Sequence, residues 1–199
     1  MLDHVFTDAI GAIRDALETA LLERQAFEER FQVDVLLGDT TWETTYSLPG
    51  EGIEPHVQVD ITMMWATWAQ TAYRSWYLSE AVDEPPRIAI SLSFRLQQMK
   101  SRLDPDRVVT VLPQQSVDIG AAPLQRQTSR IELEFDQDQT ELGWSIEVSY
   151  QGEYELPESV LADGSELDEQ LSDLGGWISS MLIRLGDIGV EHLPPNQDH

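Results

Sequence analysis

The chain has 199 residues, no cysteine and a formal net charge of −24, from 36 acidic against 12 basic side chains. That length accommodates one well-buried domain. Disulfides, thiolate nucleophiles and the common zinc-finger spacings are excluded, and so acidic a surface argues against nucleic-acid phosphates and anionic membranes as partners. No window approaches the ~20 consecutive apolar residues of a membrane span. The opening MLDHVFTDAIGAIRDALE carries acids where a secretory signal has a basic stretch and an unbroken apolar run, which predicts a cytosolic protein.

Phe6, Ile10, Ile13, Leu17 and Leu21 recur at helical spacing, with Arg14, Asp15, Glu18 and Glu23 largely off that stripe, and predict a helix from about Asp3 to Glu29. Val33, Val35 and Leu37 then alternate with polar neighbours. Gly38-Asp39 supplies a two-residue turn, and Trp42, Thr44, Tyr46 and Leu48 return as a second strand that ends at Pro49–Gly52.

A third strand sets Val57, Val59, Ile61 and Met63 against His56, Gln58, Asp60 and Thr62. Alternation fails after Trp65. Trp65, Trp68, Ala69, Ala72 and Trp76 then fit one helical face, predicting a short helix from about Ala66 to Glu80. The stretch from Val57 to Leu78 holds three of the six tryptophans and is the part around which the rest is organised, because large aromatic side chains dominate cores and interfaces.

Asp83-Glu84-Pro85-Pro86 breaks that helix. Ile88, Ile90, Leu92, Phe94 and Leu96 form the clearest strand, a further strand is expected at Val108–Leu112, and Pro113–Thr128 reads as a long loop. Ile131, Leu133 and Phe135 pair across Asp136–Gly143 with Trp144, Ile146, Val148 and Tyr150. A last helix carries Leu167, Leu171, Leu174, Ile178, Met181, Leu182 and Leu185 on one face. Ser165 with Asp168 caps it, Gly175-Gly176 marks a close contact or a kink, and Gly186 or Gly189 ends it.

Strands joined by short turns pair antiparallel. The expected architecture is α+β: a mostly antiparallel sheet of about six to seven strands, long N- and C-terminal helices on one face, and one short helix. Residues 1–193 form a single domain, with a disordered tail over 194–199.

Little chemistry is spelled out. Asp136, Asp138, Thr140 and Glu147 fall at calcium-loop spacing, but Glu141 stands where the loop needs glycine, so an acidic hairpin tip is the better account. His56 and Asp60 share a strand face near Glu51 and Glu54, yet no pattern adds a nucleophile to that pair. No phosphate loop, dinucleotide fingerprint, nucleophile elbow or metal-binding helix motif is present, and no cofactor or metal is called for. Arg95, Lys100, Arg102 and Arg107 form a basic island, read as neutralising neighbouring carboxylates.

The expectation is a non-catalytic protein that binds another protein, in the manner of an assembly factor or chaperone-like adaptor. Secretion chaperones share small size, acidity and a related helix–sheet order, an analogy of architecture only. The expected docking residues are Arg74, Tyr77 and Leu78, with Tyr73, because Tyr77 and Leu78 fall away from the tryptophan face and interface anchors favour Trp, Tyr and Arg. The alternative is a small-molecule or enzymatic pocket between sheet and helices, converging on His56, Asp60 and Arg74. Homodimerisation through a sheet face or the C-terminal helix is a third possibility.

Overall fold

A computed structural model of the chain describes residues 4–36, 38–49, 55–135 and 141–193. The apolar alternation resolves into one antiparallel sheet of seven strands in the order β1-β2-β3-β4-β7-β6-β5. The strands are β1 (Phe27–Leu36), β2 (Asp39–Leu48), β3 (Val57–Trp65), β4 (Arg87–Met99), β5 (Gln115–Ile119), β6 (Ala122–Phe135) and β7 (Glu141–Glu155). The helices are α1 (His4–Leu21), α2 (Thr67–Tyr77), α3 (Pro105–Val111), α4 (Glu158–Ala162) and α5 (Ser165–Gly186). The fold is α+β, and no described helix is long and apolar enough to cross a membrane.

One face of the sheet is apolar. Trp42 and Tyr46 on β2, Val59, Ile61, Met63 and Trp65 on β3, Ile88, Ile90, Leu92, Phe94 and Leu96 on β4, and Ile146, Val148 and Tyr150 on β7 are buried there. Both long helices lie on this face. Trp177 of α5 makes edge-to-face ring contacts with Phe94 and Tyr150 at centroid distances of 5.9 and 5.3 Å, and Phe6 of α1 meets Trp65 at 5.8 Å. The helices also pack on each other. A Cβ built at Gly175 would stand 2.8 Å from both Ala16 Cβ and the Ile13 carbonyl oxygen, so glycine sets how closely α5 approaches α1, whereas Gly176 faces open space. The opposite face is polar, with Thr45 Oγ1 donating to Asp60 (2.6 Å) and Arg95 paired to Glu147 (3.2 Å).

Several boundaries depart from the sequence reading, each for a local reason. The first helix ends at Leu21 rather than Glu29. A 3-10 turn at Leu22–Arg24 and a left-handed Gln25 stop it, and Phe27 onward pairs with β2 although Glu, Arg and Phe suit a helix equally well. Asp39 pairs with Leu36, so it opens the return strand instead of sitting in the turn; Leu37 lies outside the described residues. The expected strand at Val108–Leu112 is helix α3: Asp104 caps it by accepting from the Asp106 N–H (3.0 Å), and Pro105 occupies its first turn. The expected loop at Pro113–Thr128 contains β5, a turn at Gly120 and the start of β6. At α5 the cap is not Ser165 with Asp168. Asp163 accepts from the Ser165 N–H (3.1 Å), and the bonds to Ser165 hold its carboxyl below the ordinary value.

The expected loop at Gly50–Gly52, the calcium-like positions Asp136, Asp138 and Thr140, and the 194–199 tail lie outside the described residues.

Candidate docking site at the end of helix α2

Helix α2 is tied to the β1–β2 turn before it does anything else. Asp39 Oδ1 accepts from the Thr67 backbone N–H (2.6 Å) and from Thr67 Oγ1 (2.8 Å), so a residue distant in sequence supplies the N-terminal cap that Ala66 cannot. These two bonds hold the Asp39 carboxyl below its ordinary value of 3.8. Gln70 Nε2 donates to the carbonyls of Gly38 (2.8 Å) and Trp65 (3.0 Å). Gly38, at φ +93°, has Thr67 Oγ1 where a Cβ would stand, so its bare backbone lets the helix start against the turn.

Anchored in this way, α2 turns a different face inward from the one its tryptophans suggest. Ala69 and Tyr73 are buried, Tyr73 to 4% exposure, while Trp68 is 47% exposed. The core face therefore runs through Tyr73, and its place among the expected docking residues is corrected: it packs edge-on against Trp65 (6.0 Å) and stacks with Trp76 (5.9 Å). Burial pushes the Tyr73 phenol above its ordinary value. The other three expected residues lie outside. Arg74 is exposed, Tyr77 is 67% exposed and Leu78 66%.

Phe6, Trp65, Tyr73 and Trp76 thus form one unbroken series of ring contacts from α1 to the surface. It ends at a cleft of about 890 Å³ whose floor includes Trp76, Tyr77, Pro86 and Leu156, with Leu161 of α4 on its wall and Glu80 and Glu158 among its acids. Pro86 and Leu156 flank the start of β4 and the end of β7 and are joined where the Leu156 N–H donates to the Pro86 carbonyl (2.9 Å). The chain leaves α2 sharply. Leu78 and Ser79 donate to the carbonyls of Arg74 and Trp76 (3.0 and 2.9 Å), Ser79 has φ +60°, and Ser75 Oγ donates to Glu80 (3.1 Å).

The pocket imagined from His56, Asp60 and Arg74 is not assembled. His56 stacks on His192 with ring centroids 3.9 Å apart, beside Gly186 and Asp187, in a different cleft of about 500 Å³. Asp60 is taken by Thr45 in the middle of β3, on the polar face of the sheet. Arg74 belongs to α2, beyond the opposite end of that strand. Among the described residues no group of three or more His, Asp or Glu is placed to hold a metal ion.

The basic island is engaged within the molecule. Arg95 pairs with Glu147 (3.2 Å), Lys100 with Glu191 (3.3 Å), Arg102 lies 6.0 Å over the Trp144 ring, and Arg107 Nη2 donates to the Ile188 carbonyl (2.6 Å). Compared with known protein families, with curated proteins and with solved structures, the chain matches none.

Proposed function

We propose that the chain is a cytosolic, non-catalytic protein-interaction module that docks its partner at the α2 cleft. One observation carries the reading: the aromatic series that begins in the core ends at the partly buried Trp76, and the next two residues, Tyr77 and Leu78, are exposed. A rigid aromatic platform of this kind gives contact area with little loss of side-chain freedom, and interface anchors are drawn from Trp, Tyr and Arg. The surrounding acids, Glu80 and Glu158 on the cleft and Glu84 and Asp83 beside it, favour an apolar segment flanked by lysine or arginine.

Affinity capture with wild type and with Tyr77→Asp/Leu78→Asp tests this. Both substituted positions are exposed, so the variant is expected to fold as wild type does while losing a stoichiometric partner. Recovery of no partner by wild type, or equal recovery by the variant, overturns the proposal.

A further inference from the structure

We infer, with the α2 cleft as the docking site on which this rests, that its occupant is a proline-rich segment in the polyproline II conformation, carrying an arginine or lysine beside the prolines. Segments that dock on a protein surface commonly do so as an added strand, an amphipathic helix or a polyproline II stretch. The cleft offers no long strand edge to extend. The strands whose ends flank it, β4 and β7, are interior in the sheet order, with β3 and β6 on their outer sides.

The lining separates the other two. Trp76 lines the cleft with Tyr73 stacked on it (5.9 Å), and Tyr77, Pro86, Leu156 and Leu161 stand with it. Aromatic and apolar surfaces of this kind receive pyrrolidine rings, which have almost no side-chain freedom to lose on binding. Two hydrogen-bond donors come with the rings. The Trp76 indole N–H and the Tyr77 hydroxyl bond to no group of the described residues, and neither is sealed from solvent. A helix engages its carbonyls with its own N–H groups and leaves none along its length for these donors. A polyproline II backbone has no internal hydrogen bonds, so its carbonyls are open to accept from them. Proline also lacks an N–H, so the segment brings few donors that need a partner.

The acids select the charge. Glu80 and Glu158 line the cleft, no lysine or arginine does, and Asp83 and Glu84 are exposed between α2 and β4. Arg87, the next cation along the chain, is engaged by Glu153 and Glu155 at 3.2 Å each. Among the described residues Glu158 has no cationic partner. An acidic or phosphorylated segment is repelled here, whereas a guanidinium or ammonium beside the prolines meets a carboxylate.

Peptide titrations followed by fluorescence anisotropy test the inference on the full chain. The probes are peptides of about fifteen residues: arginine followed by prolines, the same with glutamate for arginine, arginine in a glycine–serine chain, and an arginine-bearing amphipathic leucine helix. Wild type is expected to bind the arginine–proline peptide with a Kd of about 100 μM or tighter. Glutamate for arginine is expected to weaken binding by roughly fivefold or more, and the glycine–serine chain by roughly tenfold or more. Trp76→Phe and Tyr77→Phe keep the rings and lose the donors. Each is expected to keep the circular dichroism spectrum of wild type and to weaken the arginine–proline peptide by about fivefold. Tighter binding of the leucine helix, equal binding of the proline and glycine–serine peptides, or unchanged affinity in both phenylalanine variants overturns the inference. Capture of a partner that Tyr77→Asp/Leu78→Asp loses, together with no binding of the proline peptide, overturns the occupant alone and leaves the docking site standing. No captured partner and no bound peptide overturns both.

Discussion

At the scale of single residues, adjacent glycines of α5 face opposite demands. Gly175 lies against the α1 backbone, so Gly175→Ala forces the helices apart or distorts one of them, and is expected to destabilise the protein by about 1–3 kcal/mol. Gly176 has open space where a Cβ would go, and Gly176→Ala removes only the helix-propensity penalty, with an expected gain of about 1 kcal/mol. Urea unfolding of the two variants checks both signs; equal effects would show that the close approach of α1 and α5 does not depend on Gly175. Composition marks both residues as anomalous in a helix, but only the packing of a partner distant in sequence distinguishes them.

At the scale of elements, α2 depends on a carboxylate that its own sequence lacks. Asp39 is held below its ordinary value by Thr67, so the stabilisation it gives is present above that value and is lost as pH falls through the lower folded-state one. The advantage of wild type over Asp39→Asn is therefore expected to be constant near neutrality and to vanish in acid. Urea midpoints from about pH 7 to about pH 2 would show this, and a difference independent of pH would remove the cap from the account. The same dependence explains what the sequence hid. Strands β2, β3 and β4 are legible because strict alternation has one solution when one face is buried, and the α5 stripe is legible for the same reason at helical period. The inward face of α2 is not, because a helical wheel orders side chains around an axis without saying where Asp39 and Gly38 will hold it. The wheel alone sets Trp68 inward and Tyr73 outward, the reverse of their burial. Helix α3 was obscured by the β-branched run Val108-Val109-Thr110-Val111, which the Asp104–Pro105 start overrides. Strand β5 was obscured because it is only five residues long and its inward side amounts to Val117 and Ile119, too few to impose a pattern. Exposure of Tyr77 and Leu78 was legible; the cleft beside them was not, since Pro86, Leu156 and Leu161 join it from distant parts of the chain.

At the scale of the molecule, 36 acids against 12 basic side chains make the folded state repel itself. Sodium chloride is expected to raise the thermal midpoint steadily from low ionic strength to about 0.5 M as the screening length shortens, and calorimetry that finds a flat or falling midpoint would show that the specific ion pairs outweigh the net field. The contact at Gly175 also bears on how the chain is made. Helix α1 leaves the ribosome well before the helix it packs against, which begins roughly 140 residues later. At about 5–20 residues per second, its apolar stripe waits roughly seven to thirty seconds for α5. During that interval Phe6, Ile13 and Leu17 have only nascent strands to lie on. The closing event is thus a long-range docking of the two chain-distant helices, which makes nascent-chain aggregation, rather than unfolding of the finished protein, the hazard that substitutions in this seam would raise first.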